Sequence, residues 1–173
     1  MTINKPRSLA GSVLFFTCLM LLGPVASNAS PITYDVERTI GAGSVTGTIQ
    51  TDGMLGILNT GNITDWNLHL TDGSNTFDLA GPASSVVLVS GADVSATATQ
   101  LLFDFSGSSG YLLFQQFPPF NGEHYYCDSA GVTDCLAGES VVPLSIFSPG
   151  SINIPQAGNQ VIGTVAAVPE PAG

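Results

Sequence analysis

The sequence predicts an all-β protein, an antiparallel β-sandwich (jelly-roll-like or a related barrel) of about nine short strands. Apolar and polar residues alternate over short runs, tight-turn residues separate these runs, and no long apolar stripe recurs with the 3.6-residue period of a helix. Strands with one apolar face must pack that face against a second sheet, so two layers are expected.

The clearest strand covers residues 32–40, where apolar side chains alternate with polar ones. Turn-forming pairs such as Asp52-Gly53, Asp72-Gly73 and Asn121-Gly122 divide the rest of the chain. The other predicted strands cover 45–50, 66–70, 77–79, 85–89, 99–105, 111–117, 141–147 and 160–166. The core is expected to contain Trp66, Phe77, Leu79 and Phe103.

The charge of the chain excludes nucleic acid as a partner. Three Lys and Arg residues stand against 13 Asp and Glu, a formal net charge of −10. Phosphate binding needs a basic face, which this composition does not provide. Charged residues make up 9% of the chain against about 25% in ordinary domains, while 44% are hydrophobic, so a folded β-rich domain is favoured over disorder.

The N-terminus has the pattern of a secretory signal peptide. Lys5 and Arg7 precede a mostly apolar run over 9–22, which is followed by Gly23-Pro24 and by small residues up to Ala29. The run is shorter than the ~20 residues that span a membrane. We therefore expect a signal peptide over 1–29, a single domain over 30–166 and a tail over 167–173, in a protein exported to the periplasm, the cell surface or the extracellular space.

Two cysteines remain after removal of 1–29. Cys127 and Cys135 are close in sequence, and such a pair in an exported protein predicts a disulfide. Their spacing matches no redox Cys-x-x-Cys motif, and only His124 lies nearby as a further zinc ligand.

Arg38 is out of phase with the strand that carries it. Alternation places it on the same face as Val36 and Ile40, where an uncompensated charge is costly. We therefore expect Arg38 either to pair with a carboxylate or to lie at the solvent end of its strand. An anion-binding role is the less favoured alternative, because the surroundings are acidic.

Catalytic chemistry has few candidates, and no enzyme, catalytic residue or cofactor is predicted. Residues 30–173 contain no Lys, and the adjacent Glu123-His124 pair points to opposite sides of an extended segment. His69 falls in the polar phase of its strand and is expected in solvent. A glycan hydrolase built on two converging carboxylates remains a less favoured hypothesis.

Four oxygen-bearing residues cluster near one turn: Asp72, Ser74, Asn75 and Asp78. They could in principle hold Ca²⁺. Their spacing matches no calcium loop, and Asp and Asn commonly cap turns through their own backbone. The turn-capping interpretation is therefore preferred, and no metal site is predicted.

The segment 114–127 is rich in aromatic residues. Apolar ring faces can stack on sugars while polar neighbours bond hydroxyl groups. A carbohydrate-binding site is the alternative hypothesis here, with Phe120, Glu123, Tyr125 and Tyr126 as its residues. The competing interpretation is that the aromatic rings plug one end of the sandwich.

The tail carries the motif Val168-Pro169-Glu170-Pro171 just after the predicted domain. It resembles the opening of the PEP-CTERM sorting signal of exported proteins in exopolysaccharide-producing Gram-negative bacteria, and the segments 43–53 and 63–73 look like sequence that recurs in that family. The resemblance implies Pro169, Glu170 and Pro171 as the sorting motif and an exosortase-type enzyme as a partner. The family's apolar helix and Arg-rich end do not follow the motif in this sequence.

Together these patterns predict a non-enzymatic exported protein of the cell surface or extracellular matrix. An exopolysaccharide or surface glycan is the possible partner.

Overall fold

The structure is a computed structural model that describes residues 29–117, 124–131, 135–143 and 152–166. Within these ranges the chain forms thirteen β-strands and one 3₁₀ turn, Thr60–Asn62. The strands are β1 Ile32–Ile40, β2 Gly43–Thr51, β3 Gly56–Ile57, β4 Ile63–Thr71, β5 Thr76–Ala80, β6 Ser85–Ser90, β7 Val94–Ala96, β8 Gln100–Asp104, β9 Tyr111–Gln116, β10 Tyr125–Ser129, β11 Gly138–Val142, β12 Ile152–Ile154 and β13 Asn159–Thr164.

The strands form two packed antiparallel sheets, which confirms the predicted all-β sandwich. The large sheet has eight strands in the order β3-β7-β8-β13-β1-β2-β4-β5, and the small sheet has five in the order β12-β11-β10-β9-β6. β1 lies in the middle of the large sheet and pairs with β2 over nine residues, Ile32↔Thr51 through Ile40↔Gly43. Its other neighbour, β13, shares only the registered pair Asp35↔Thr164.

The main core lies between the sheets and follows the predicted alternation. In β1, Tyr34, Val36 and Ile40 are buried, whereas Asp35, Glu37 and Thr39 are exposed. Of the four expected core residues, Trp66, Leu79 and Phe103 are buried, and Phe77 is half-buried against the core. Removing such apolar area from water is the main favourable term in the folding of a domain of this kind.

The small sheet is covered on both of its faces. Tyr126 packs in the main core, while its neighbours Tyr125 and Cys127 belong to a second, smaller cluster with Leu113 and Cys135. Successive side chains of a strand point to opposite faces, so Tyr125 and Tyr126 are separated by the sheet itself.

Four strands were not predicted, which makes the expected count of nine too low. β3, β7 and β12 are only two or three residues long, too short to show a period. β10 shows no apolar alternation, because polar Asp128 and Ser129 are buried in it beside Tyr126 and Cys127. The strand predicted over 141–147 begins earlier, at Gly138, and residues 144–147 lie outside the described ranges.

Gly47 is required where β2 and β4 approach each other. Its φ is +134°, and a Cβ built on it would lie 1.9 Å from the Asn67 carbonyl oxygen. Gly56 also has a positive φ, +93°, but a Cβ there would meet nothing within 4 Å. Replacing each glycine by alanine therefore tests a different cost: backbone strain alone at Gly56, and backbone strain together with a steric clash at Gly47.

We expect Gly56→Ala to lower the free energy of unfolding by about 1–3 kcal/mol, the cost of backbone strain alone. Gly47→Ala adds a clash with the backbone of β4 and should cost more than about 4 kcal/mol or prevent folding. Urea denaturation of both variants and of the unmodified protein measures the two losses in the free energy of unfolding. Equal losses would show that β2 can move away from β4 at little cost.

Candidate functional site

Arg38 connects the two sheets. Its guanidinium reaches from β1 to Glu139 on β11, with Nε 2.8 Å from Oε1 and an Nη2 nitrogen 2.9 Å from Oε2. Nη1 donates a third bond to the Val161 carbonyl of β13, at 3.0 Å. The prediction that Arg38 pairs with a carboxylate is confirmed. Bidentate geometry of this kind gives the strongest Arg–carboxylate bonds.

Two further side chains complete a buried cluster around Glu139. The Tyr126 hydroxyl lies 2.9 Å from Asp128 Oδ2 and 3.2 Å from Glu139 Oε1. Glu139, Asp128 and Tyr126 are all 0% exposed, and 17% of the Arg38 side chain is exposed. We call these four residues the buried cluster. Gln156 borders it and donates to Glu139 Oε2 at 3.1 Å.

The buried cluster holds two carboxyl groups against one guanidinium. Burial, and then the negative charge of Glu139, raise the pKa of Asp128 well above its ordinary range. The hydrogen bond to Glu139 raises the pKa of Arg38, so this side chain stays charged. A protonated Asp128 balances the cluster, because Arg38 and Glu139 then cancel.

The hydrogen bonding fits that protonation state. A tyrosine hydroxyl has one proton, so it can donate one hydrogen bond to Glu139 and still accept a hydrogen bond from a neutral Asp128. Asp128 Oδ1 is buried without a hydrogen-bond partner in the described part of the chain. An orphaned oxygen costs less on a neutral carboxylic acid than on a carboxylate.

A surface groove lies above the buried cluster, between β1 and β13. It has a volume of about 530 Å³ and is lined by Asp35, Glu37 and Arg38 together with residues 161–166. The two strands separate here because β13 is bulged between Val161 and Gly163 in its pairing with β8, and because β1 and β13 share so little register. Arg38 forms part of the lining of the groove, and its other side meets Glu139.

Two of the residues predicted as a glycan platform, Tyr125 and Tyr126, lie on opposite faces of the small sheet. Tyr126 is buried with its hydroxyl against two carboxyl groups, so it cannot stack on a sugar, and that assignment is wrong. Tyr125 is half-buried on the opposite face of the small sheet, where burial raises its pKa. Phe120 and Glu123 lie outside the described residues, as do Pro169, Glu170 and Pro171.

The predicted disulfide is present. Cys127 and Cys135 are bonded, with their Cα atoms 6.5 Å apart. The pair sits in the smaller cluster with Leu113, on the outer side of the small sheet. It ties β10 to the segment that leads into β11, the two strands that carry the acids of the buried cluster.

The histidines have structural partners. His69 Nδ1 lies 2.6 Å from Asp78 Oδ1 in an exposed cross-strand pair between β4 and β5. The His124 ring stacks on Phe77 with centroids 3.6 Å apart, and its Nδ1 lies 2.5 Å from the Pro143 carbonyl oxygen. Neither histidine is among the residues that line the groove.

The carboxylate of Asp72 caps the turn that this residue begins. Asp72 Oδ1 accepts bonds from the backbone N–H groups of Ser74 and Asn75, and Oδ2 accepts one from the Asn75 side chain. These bonds lower the pKa of Asp72. Across the described ranges, no three His, Cys, Asp or Glu residues are grouped closely enough to hold a metal ion.

Comparisons with protein-family models, with curated proteins and with solved structures found no match for this chain. In the part of the chain that the structure describes, no helix is long and apolar enough to cross a membrane. The geometry of the described residues defines a two-sheet β-sandwich with a disulfide, an ion pair between the sheets and a groove above that pair.

The raised pKa of Asp128 predicts a specific pH dependence. The unfolded chain releases the Asp128 proton above pH ~4, whereas the folded state keeps it up to the raised pKa. The stability that the protonated acid contributes is therefore complete below pH ~4 and is lost as the pH rises through the folded pKa. Asp128→Asn mimics the protonated acid and should remove this loss. Relative to the unmodified protein, the variant should gain up to about 1.4 kcal/mol per pH unit over that range.

Urea denaturation from pH 4 to 9 measures the difference, with the exposed Asp65→Asn as the control. Parallel stability profiles for the unmodified protein and Asp128→Asn would show that Asp128 is ionised in the folded state.

Proposed function

We propose that this protein is a non-enzymatic, exported component of the cell surface or extracellular matrix. The observation that carries the proposal is the burial of the carboxyl groups of Asp128 and Glu139, which share Tyr126 as a hydrogen-bond partner. Asp128 and Glu139 meet at Tyr126, but neither has exposed surface, and Arg38 closes Glu139 off from the groove side. General acid–base catalysis needs carboxyl groups within hydrogen-bond reach of a substrate. The burial of Asp128 and Glu139 therefore supports a role for these residues in stability and not in catalysis.

Export is supported by two features. The first is the signal-peptide pattern over 1–29, and the second is the disulfide, which is compatible with a periplasmic or extracellular location. Closing the nine-residue loop stabilises the fold by roughly 2.5 kcal/mol in the chain-entropy model. Disulfides form and persist outside the reducing cytoplasm, so an exported protein keeps this stabilisation.

The tail motif supports a sorted destination. Pro169, Glu170 and Pro171 resemble a PEP-CTERM recognition motif, so an exosortase-type enzyme is the proposed processing partner where a complete signal is present. A surface glycan is the proposed ligand class. The aromatic segment 114–127 is the weaker location for a glycan site, because Tyr126 is withdrawn from it.

Export predicts that the protein recovered from its native cells begins at Ser30, outside the cytoplasm. Intact mass spectrometry before and after reduction should show a gain of two protons for the Cys127–Cys135 bond. A chain that retains Met1–Ala29 in the cytoplasmic fraction, with both thiols free, would contradict the proposal.

A further inference from the structure

We propose that the groove between β1 and β13 binds a neutral carbohydrate chain through Asp35, Glu37 and Arg38. The inference rests on the proposed surface role, and it assigns the ligand to a place other than the aromatic segment. The groove volume of about 530 Å³ falls within the range of ligand sites, about 300–1,000 Å³.

The groove offers both kinds of hydrogen-bonding partner that a sugar hydroxyl needs. Asp35 and Glu37 are exposed, and neither side chain has a hydrogen bond or ion pair within the described ranges. Arg38 has five N–H donors, of which three are used by Glu139 and Val161, so two remain. Asp35 and Glu37 point to the outer face of the large sheet and Arg38 to its inner face, so a ligand meets Arg38 only between β1 and β13, where this residue forms part of the groove lining. There, hydroxyl groups can donate to the carboxylates and accept from the guanidinium.

Arg38 is also preorganised for this task. Its guanidinium is fixed by Glu139 on the small sheet and by the Val161 carbonyl on β13, so no side-chain freedom is lost when a ligand binds. The rest of the lining includes Val161, Val165 and Ala166, which can contact the C–H faces of a sugar ring. Apolar walls with a few fixed polar groups are the usual composition of a ligand site.

The polar surface continues from the groove across the large sheet. Asp35 is opposite Thr48, which is opposite Asn67, while Glu37 is opposite Thr46, which is opposite His69. Directly opposed side chains have Cβ atoms about 4.5–5.5 Å apart, so one row presents a carboxylate, a hydroxyl and an amide, and the other a carboxylate, a hydroxyl and an imidazole. A chain of several sugars has partners along such a row.

Other ligand classes fit the groove less well. An anionic ligand would meet two unpaired carboxylates at the rim, while the charge of Arg38 is already balanced by Glu139. A peptide strand inserted between β1 and β13 would have to break the Arg38–Val161 bond and the Asp35↔Thr164 pair. A neutral polyhydroxylated chain requires neither.

The test is affinity electrophoresis of the full chain in native gels containing dextran, laminarin, hydroxyethylcellulose or galactomannan, with alginate as the acidic polysaccharide. Each mobility is compared with that of the same protein in a gel without polysaccharide, which removes the effect of net charge. The test variant is Asp35→Asn/Glu37→Gln. The control is Asp65→Asn/Asp104→Asn, which changes the charge equally at positions that do not line the groove.

We expect at least one neutral polysaccharide to retard the unmodified protein and the control, with a dissociation constant at least tenfold higher for the test variant. No retardation by any neutral polysaccharide would overturn the proposal, as would equal retardation of the test variant, which would place the glycan elsewhere. Retardation by alginate alone would overturn the ligand class. Each of these failures leaves the exported, non-enzymatic role intact, because that role is tested separately by the mature N-terminus and its location.

Discussion

The ion pair between Arg38 and Glu139 is the constraint around which the rest of the structure is arranged, because neither charge can be buried without the other. It joins the middle strand of the large sheet to the small sheet inside the sandwich, and it is the one place where the inward face of β1 is not apolar. Taking a guanidinium and a carboxylate out of water is costly, and only good geometry with further hydrogen bonds repays that cost. The bidentate contact, the Val161 carbonyl, Gln156 and Tyr126 supply those bonds.

The same pair fixes the position of Arg38 in the lining of the groove. β1 and β13 separate after a single registered pair, and Arg38 bridges the gap with its bond to Val161. A charged side chain at this position is therefore held between a buried acid on one side and an open groove on the other. Arg38 therefore pairs with the buried Glu139 and also forms part of the lining of the groove.

Much of the fold was predictable because alternation is a local signal. The period of two over 32–40 and 66–70 gave the correct strands, and three of the four expected core residues, Trp66, Leu79 and Phe103, are buried. β10 was not predictable in this way, because its inward residues Tyr126 and Asp128 form a polar pair that resembles a loop sequence. The position of Arg38 on the apolar face of its strand predicted a carboxylate partner. The sequence contains 13 Asp and Glu residues, and the packing of the two sheets determines that Glu139 is that partner. The groove could not be predicted at all, since it arises from register and a bulge.

A double-mutant cycle at Arg38 and Glu139 tests the central role of the ion pair most directly. Arg38→Met or Glu139→Leu alone leaves a buried charge without its partner, which costs about 3–5 kcal/mol, whereas replacing both by apolar residues is often nearly neutral. The account predicts that the double variant, measured by urea denaturation, is at least as stable as the weaker single variant, with a coupling energy of about 3 kcal/mol or more. Additive losses in the double variant would show that the two side chains stabilise the fold independently and would contradict the account.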